Sequence, residues 1–149
     1  MPTPHSSFLQ LLPLFIPEEL LEHFVLKNIT EIPEKDPKTD WPVLKLELEE
    51  KNTPPVVPEE HRGKRITSKG FHRPLTIQDF PVRDHLCMFV LHRRRWEIEG
   101  TGTLERQLSV VPGEGIKLTA TFAAFLKEAD RTRAGGSRTH RETLWRGET

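Results

Sequence analysis

His85-Leu86-Cys87-Met88-Phe89-Val90-Leu91-His92-Arg93-Arg94-Arg95-Trp96 is the stretch on which the fold turns. Successive side chains of a strand point to opposite faces. One face would carry Leu86, Met88 and Val90, and the other Cys87, Phe89 and Leu91. Both sets are apolar, which predicts a strand buried on both sides at its start. At its far end the same alternation sends Arg93 and Arg95 one way, and Arg94 and Trp96 the other. Gly100-Thr101-Gly102 then predicts a turn, with Leu104 to Val111 returning as an antiparallel partner.

Upstream, Trp41 to Glu49 alternates in the same way, with Leu44, Leu46 and Leu48 facing in and Lys45, Glu47 and Glu49 facing out. Phe24 to Ile32 reads as a further strand, and Phe71 to Phe80 as a short extended segment that ends at Pro81. Gly63 to Gly70 reads as a basic loop. Ser6-Ser7 ahead of Phe8, Leu9, Leu11 and Leu12 predicts a short capped helix stopping near Pro13. Pro17-Glu18-Glu19 opens a second, with proline in the first turn and carboxylates at the positive end of the dipole. Downstream, Thr119 or Thr121 begins a helix whose apolar stripe is Phe122, Ala123, Phe125, Leu126 and Ala129. The expected fold is α+β: a small antiparallel, ribbon-like sheet with short helices at the N-terminus and near residues 119–129.

The hydrophobic share of 35% lies below the roughly 45–50% usual for globular chains, so the core should be modest. Ten of the 13 prolines fall at or before Pro58. Each removes a backbone donor and fixes φ, which limits this part to short pieces. Four segments follow: an acidic helix and strand segment over 1–49, a proline-rich linker over 50–60, a basic core over 61–130, and a disordered tail over 131–149, where the apolar pattern is lost. No long apolar run follows a basic N-terminal stretch, and Phe8 to Ile16 is interrupted by Pro13. Neither a signal peptide nor a membrane span is expected, and a cytoplasmic location is.

A formal net charge of zero conceals an asymmetry. Residues 1–60 hold five Lys/Arg against twelve Asp/Glu, a balance of −7, whereas residues 61–149 hold seventeen against ten, a balance of +7. Between Arg62 and Arg95 nine basic residues face only Asp79 and Asp84. That balance points to an anionic partner for the second half, with nucleic acid the natural candidate. The candidate contacts are Arg65, Lys69, Arg73, Arg93, Arg94 and Arg95, whose charge suits phosphate, and Trp96, whose indole either stacks on a base or packs in the core.

Other chemistry finds little support. Cys87 is the single cysteine, so no internal disulfide or multi-cysteine zinc pattern is possible. His61, His72, His85, Cys87 and His92 lack the paired short spacings of a structural zinc site. The carboxylates lie in helix starts, on a strand's outer face or in the linker, and no glycine-rich phosphate loop or Gly-x-Ser-x-Gly elbow occurs. No catalytic residue, metal ligand or cofactor is therefore expected.

The ordered motifs Pro17-Glu18-Glu19-Leu20-Leu21-Glu22-His23-Phe24, Ser68 to Pro81 (SKGFHRPLTIQDFP), Arg93-Arg94-Arg95-Trp96 and Phe122 to Glu128 (FAAFLKE) are distinctive as a set. Over roughly residues 8–130 the chain resembles the N-terminal-region protein of ISAon-type insertion-sequence transposases. It is more distantly similar to the N-terminal zinc-ribbon portion of larger Asp-Asp-Glu transposases, whose cysteine pairs are absent here. The resemblance implies a β unit held by packing in place of metal. It also implies a role in recognising the terminal inverted repeats of the element's DNA, with strand cutting left to a separate catalytic segment. The alternative it leaves is an interaction module that docks a separate transposase catalytic subunit.

With Cys87 standing alone, the protein is expected to keep its fold after exhaustive chelation. Circular dichroism before and after chelation, with elemental analysis for zinc, checks this. Stoichiometric zinc whose removal unfolds the chain counts against it.

Overall fold

Leucines at 44, 46 and 48 do build one face of a strand, and that strand lies in the middle of the molecule. The computed structural model describes residues 4–33, 35–113 and 115–134. In chain order the elements are helices α1 (Pro4–Phe15) and α2 (Glu18–His23), then strands β1 (Phe24–Ile32) and β2 (Val43–Glu50). After a turn of 3-10 helix at Glu59–His61 come β3 (Ile66–Phe71), β4 (Leu75–Val82), β5 (His85–His92), β6 (Arg94–Ile98) and β7 (Gly102–Leu104), and finally helix α3 (Ala120–Ala134). The fold is α+β with two small sheets, one ordered β1-β2-β5-β4 and the other β3-β6-β7.

All pairings between these strands are antiparallel except one: β2 and β5 run parallel, with Leu46 opposite Phe89 and Leu48 opposite Leu91. Segment 51–84 is the crossover that parallel pairing requires. The acidic first third and the basic second half thus share a sheet, and the 50–60 boundary separates stretches of sequence, not packing units. The register aligns Phe24, Leu46, Leu48, Cys87, Phe89, Leu91 and Ile77 on one face. Ile16 and Leu20 from the helical segment cover it, together with Leu108 and Val110. Leu86 and Val90 are buried on the other face, so the start of β5 is enclosed on both sides as its composition predicts.

Several boundaries differ from the sequence reading. The expected single strand from His85 to Trp96 is two: the chain leaves the first sheet after His92, passes Arg93, and enters the second sheet at Arg94. Gly63 to Gly70 is mostly strand β3, because its residues pair with β6, Ile66 opposite Ile98 and Ser68 opposite Trp96. The Gly100 turn forms, with φ +71° at Gly100, but its returning strand stops at Leu104. Beyond it, side chains replace the ladder: Glu105 and Arg106 turn back to Arg93 and Glu50. Helix α1 passes Pro13, since Ile16 N–H still reaches the Leu12 carbonyl at 2.9 Å. Helix α3 continues through residues 131–134, where Arg131 and Arg133 pair with Glu128 and Asp130 and sit favourably at the negative end of the dipole. The rest of the expected tail, 135–149, lies outside the described residues.

Two polar clamps hold the helices down. Thr119 is buried; its hydroxyl donates to Asp79 Oδ1 at 2.8 Å and accepts the Phe122 N–H, the geometry of a helix N-cap. Phe80 packs against Phe122 and Phe125, with ring centroids 5.0 and 5.5 Å away. At the other end the Glu19 carboxylate of α2 accepts the Ser109 N–H and hydroxyl and the Val110 N–H at 2.8–3.0 Å. Burial raises the pKa of Glu19, but these hydrogen bonds outweigh it and leave the group below its ordinary value.

A carboxylate whose folded pKa is depressed contributes stability above its unfolded pKa, and loses it as pH falls through the folded value. Glu19→Gln is therefore expected to lower stability at neutral pH and to flatten its decline on the acid side. Denaturant unfolding of both proteins from neutral to acid pH measures this. Parallel pH profiles would show that Glu19 does not clamp α2 to residues 109–110.

Candidate nucleic-acid interface

Where the chain crosses between the sheets, the alternation that buries Leu46 and Leu48 also buries the next inward residue, Glu50, at 1% exposure. A charge there is tolerable only if paired and hydrogen-bonded. Glu50 Oε2 accepts the Trp96 indole N–H at 2.7 Å and the Arg106 Nε–H at 3.1 Å, and Oε1 accepts the Arg94 backbone N–H at 3.1 Å. The Glu50 carbonyl accepts Arg94 Nε–H at 2.8 Å, and Arg94 Nη1 reaches Ser68 Oγ at 2.9 Å. The Arg94 guanidinium also lies 4.7 Å from the Phe71 ring centroid. Arg106 further donates to the Thr53 carbonyl, which ties the 50–60 segment back to the body.

The three consecutive arginines therefore have three different situations. Arg93 pairs with Glu105, and its Nε is buried without a hydrogen-bond partner. Arg94 is committed to Glu50, Ser68 and Phe71. Arg95 is exposed and donates from Nη2 to the Lys69 carbonyl at 2.9 Å. The expected alternation holds within β6, where Arg94 and Trp96 turn inward to Glu50 and Arg95 outward, but Arg93 falls outside it, at the break between β5 and β6. Trp96, 1% exposed, is a core residue whose N–H is already used by Glu50, so it offers no face to a base.

Arg65, Lys69 and Arg73 are exposed. On β3, Thr67 and Lys69 face outward while Ile66 and Ser68 turn inward, and Arg65 immediately precedes the strand. Lys69 and Arg95 on the outward face of the small sheet, with Arg65 just before β3 and Arg73 just after it, make a positive strip. Glu97, opposite Thr67, interrupts it. Phe71, 41% exposed, stands opposite Arg94 with that guanidinium against its ring, on the other face of the small sheet from this strip. The basic environment reaches His72: burial lowers its pKa first, and the charges of Arg93 and Arg95 lower it further, against an opposing pull from Glu50. His72 is thus held in its neutral form more firmly than an ordinary histidine.

The remaining chemistry-bearing groups do not converge. Burial, reinforced by the Asp79 charge, pushes the Cys87 thiol up to about 12, so it is not a nucleophile at neutral pH. His85 is drawn to the Arg83 carbonyl at 2.8 Å and to Glu31 at 3.2 Å, and these contacts raise its pKa. Among the described residues no three His, Cys, Asp or Glu side chains cluster as a metal site needs, and no helix is long and apolar enough to cross a membrane. A polar cleft of about 590 Å³ opens beside Arg93, bounded by Glu105, Arg106 and Lys117. Its two arginines are already paired, with Glu105 and Glu50. No family model, curated protein or solved structure matches the chain.

Glu50 and Arg106 were missed as organising residues, although the parity of Leu44, Leu46 and Leu48 carries straight on to position 50. Removing the Glu50 carboxylate strands the Arg106 guanidinium and the Trp96 and Arg94 N–H groups. Glu50→Ala is expected to cost about 3–5 kcal/mol. Glu50→Gln should cost less, because an amide oxygen can still accept the indole N–H. Denaturant unfolding measures both, and a loss under about 1 kcal/mol for Glu50→Ala would show that the buried network is not what joins the sheets.

Proposed function

We propose that the chain is a non-catalytic nucleic-acid-binding module that grips the phosphate backbone through Arg65, Lys69, Arg73 and Arg95. The observation that carries this reading is the outward strip on the small sheet. Its cations are exposed and, unlike Arg93, Arg94 and Arg106, are not consumed among the described residues by internal carboxylates or hydrogen bonds to buried groups. Guanidinium and ammonium groups held on a rigid strand suit contact with phosphate. The resemblance of the ordered motifs to the N-terminal-region protein of ISAon-type transposases supplies the context: DNA at the ends of a mobile element, recognised in the cytoplasm beside a separate catalytic subunit.

Phosphate contacts release counterions, so each one lost should reduce the log–log salt slope of duplex binding by about 0.9. Lys69→Gln and Arg95→Gln are each expected to weaken binding and flatten the slope without altering the fold. Arg94→Gln should act differently, lowering stability through its lost contacts with Glu50 and Ser68. Fluorescence anisotropy of a short duplex over a salt series, with unfolding measured on the same variants, separates the two effects. Salt-independent binding, or a wild-type slope after glutamine replacement of all four strip residues, overturns the reading.

A further inference from the structure

Strand β1 stands at the edge of the four-stranded sheet and, among the described residues, its outer backbone edge is unpaired. The opposite edge is covered: Gln78 of β4 donates to the Lys117 carbonyl and accepts the Thr119 N–H. Beside the open edge lies an apolar exposed surface made by Leu9, Leu11, Leu14 and Phe15 of α1 with Ile29 of β1, while Val25 is exposed on the other face of the sheet. Leu14 is 75% exposed. Leu11, Phe15 and Ile29 border a wholly apolar recess of about 220 Å³ that reaches Leu46 and Cys87. An open edge next to apolar surface is a template for strand addition.

We infer that this edge pairs with β1 of a second copy, antiparallel and two-fold symmetric about Ile29. A two-fold axis normal to the sheet places residue 29 + k opposite residue 29 − k. Ile29 then meets Ile29, Asn28 meets Thr30, and Lys27 meets Glu31 on both sides of the axis. Neighbouring registers lack this match. Centring on Lys27 or on Glu31 sets like charges against each other, and centring on Thr30 sets Ile29 against Glu31. Unlike charges directly opposite stabilise a pair and like charges oppose it, so the charges select one register. The flanking charges also deter pairing with unrelated strands. Because the axis is normal to the sheet, α1 of each copy lies on the same side of the joined sheet, bringing their apolar surfaces into one isologous interface.

The test is self-association of the full chain by sedimentation velocity over a concentration series, with circular dichroism as the check on folding. The wild type should show a reversible monomer–dimer equilibrium. Lys27→Glu and Glu31→Lys should each weaken it roughly tenfold, since each creates two like-charge pairs per dimer. The double variant should regain most of the loss. Lys69→Gln and Arg95→Gln should leave it unchanged, which separates this interface from nucleic-acid binding. Amide exchange over residues 25–32 should slow as concentration rises, a readout that needs no variant. A monomer at every concentration, a dimer insensitive to both single changes, or a double variant no better than the singles overturns the proposal. Protection of residues 25–32 only in the presence of a different protein would likewise assign the edge to that other partner.

Discussion

A carboxylate taken out of water must be repaid by its neighbours, and in this protein that requirement falls on Glu50. Its partners come from three places that are distant in sequence: the start of β6, the Trp96 indole on the same strand, and Arg106 beyond β7. Strand β2 of the four-stranded sheet ends at Glu50 and strand β6 of the three-stranded sheet begins at Arg94, so satisfying one buried charge ties the two sheets together where the chain crosses between them. Apolar burial supplies the bulk of the stabilisation, but it is non-directional. The hydrogen bonds to Glu50 are directional, and they set the angle and register of the junction.

Elements whose side chains repeat with the period of their backbone were legible from sequence. The leucines of β2, the doubly apolar start of β5, the Gly100 turn and the stripe of α3 all lie where their pattern predicts. What alternation could not give was partner choice: nothing in Leu44 to Leu48 announces that its neighbour is β5 in parallel orientation. Nor does Gly63 to Gly70 look like a strand, because β3 is held by its ladder to β6 and exposes most of its side chains. The hairpin between β4 and β5 turns through Arg83 and Asp84, both with positive φ, where the usual Asn-Gly signal is missing.

The candidate interface was legible as charge but not as geometry. Three arginines in a row look equivalent in a sequence, yet Glu105 claims one, Glu50 and Ser68 claim another, and only Arg95 faces outward with its guanidinium nearly free. The partners that sort them lie 12 to 44 residues away, beyond the reach of local pattern. Trp96 follows the same logic, its indole oriented by a carboxylate that composition would place in a flexible linker. In the proposed reading, the buried arginines build the platform and the outward cations touch the ligand.

The parallel pairing of β2 with β5 also has a consequence for biosynthesis. The β1–β2 hairpin leaves the ribosome with Leu46 and Leu48 lacking their strand neighbours Phe89 and Leu91, and it must wait while all of segment 51–84 is made. Until β5 arrives, Glu50 also lacks Trp96 and Arg106 and remains solvated, where its charge costs nothing. A pairing that spans so much chain forms slowly, and its waiting half is exposed to aggregation. The acidic residues alternating along the outer face of β2, Glu47 and Glu49, keep that half charged during the interval.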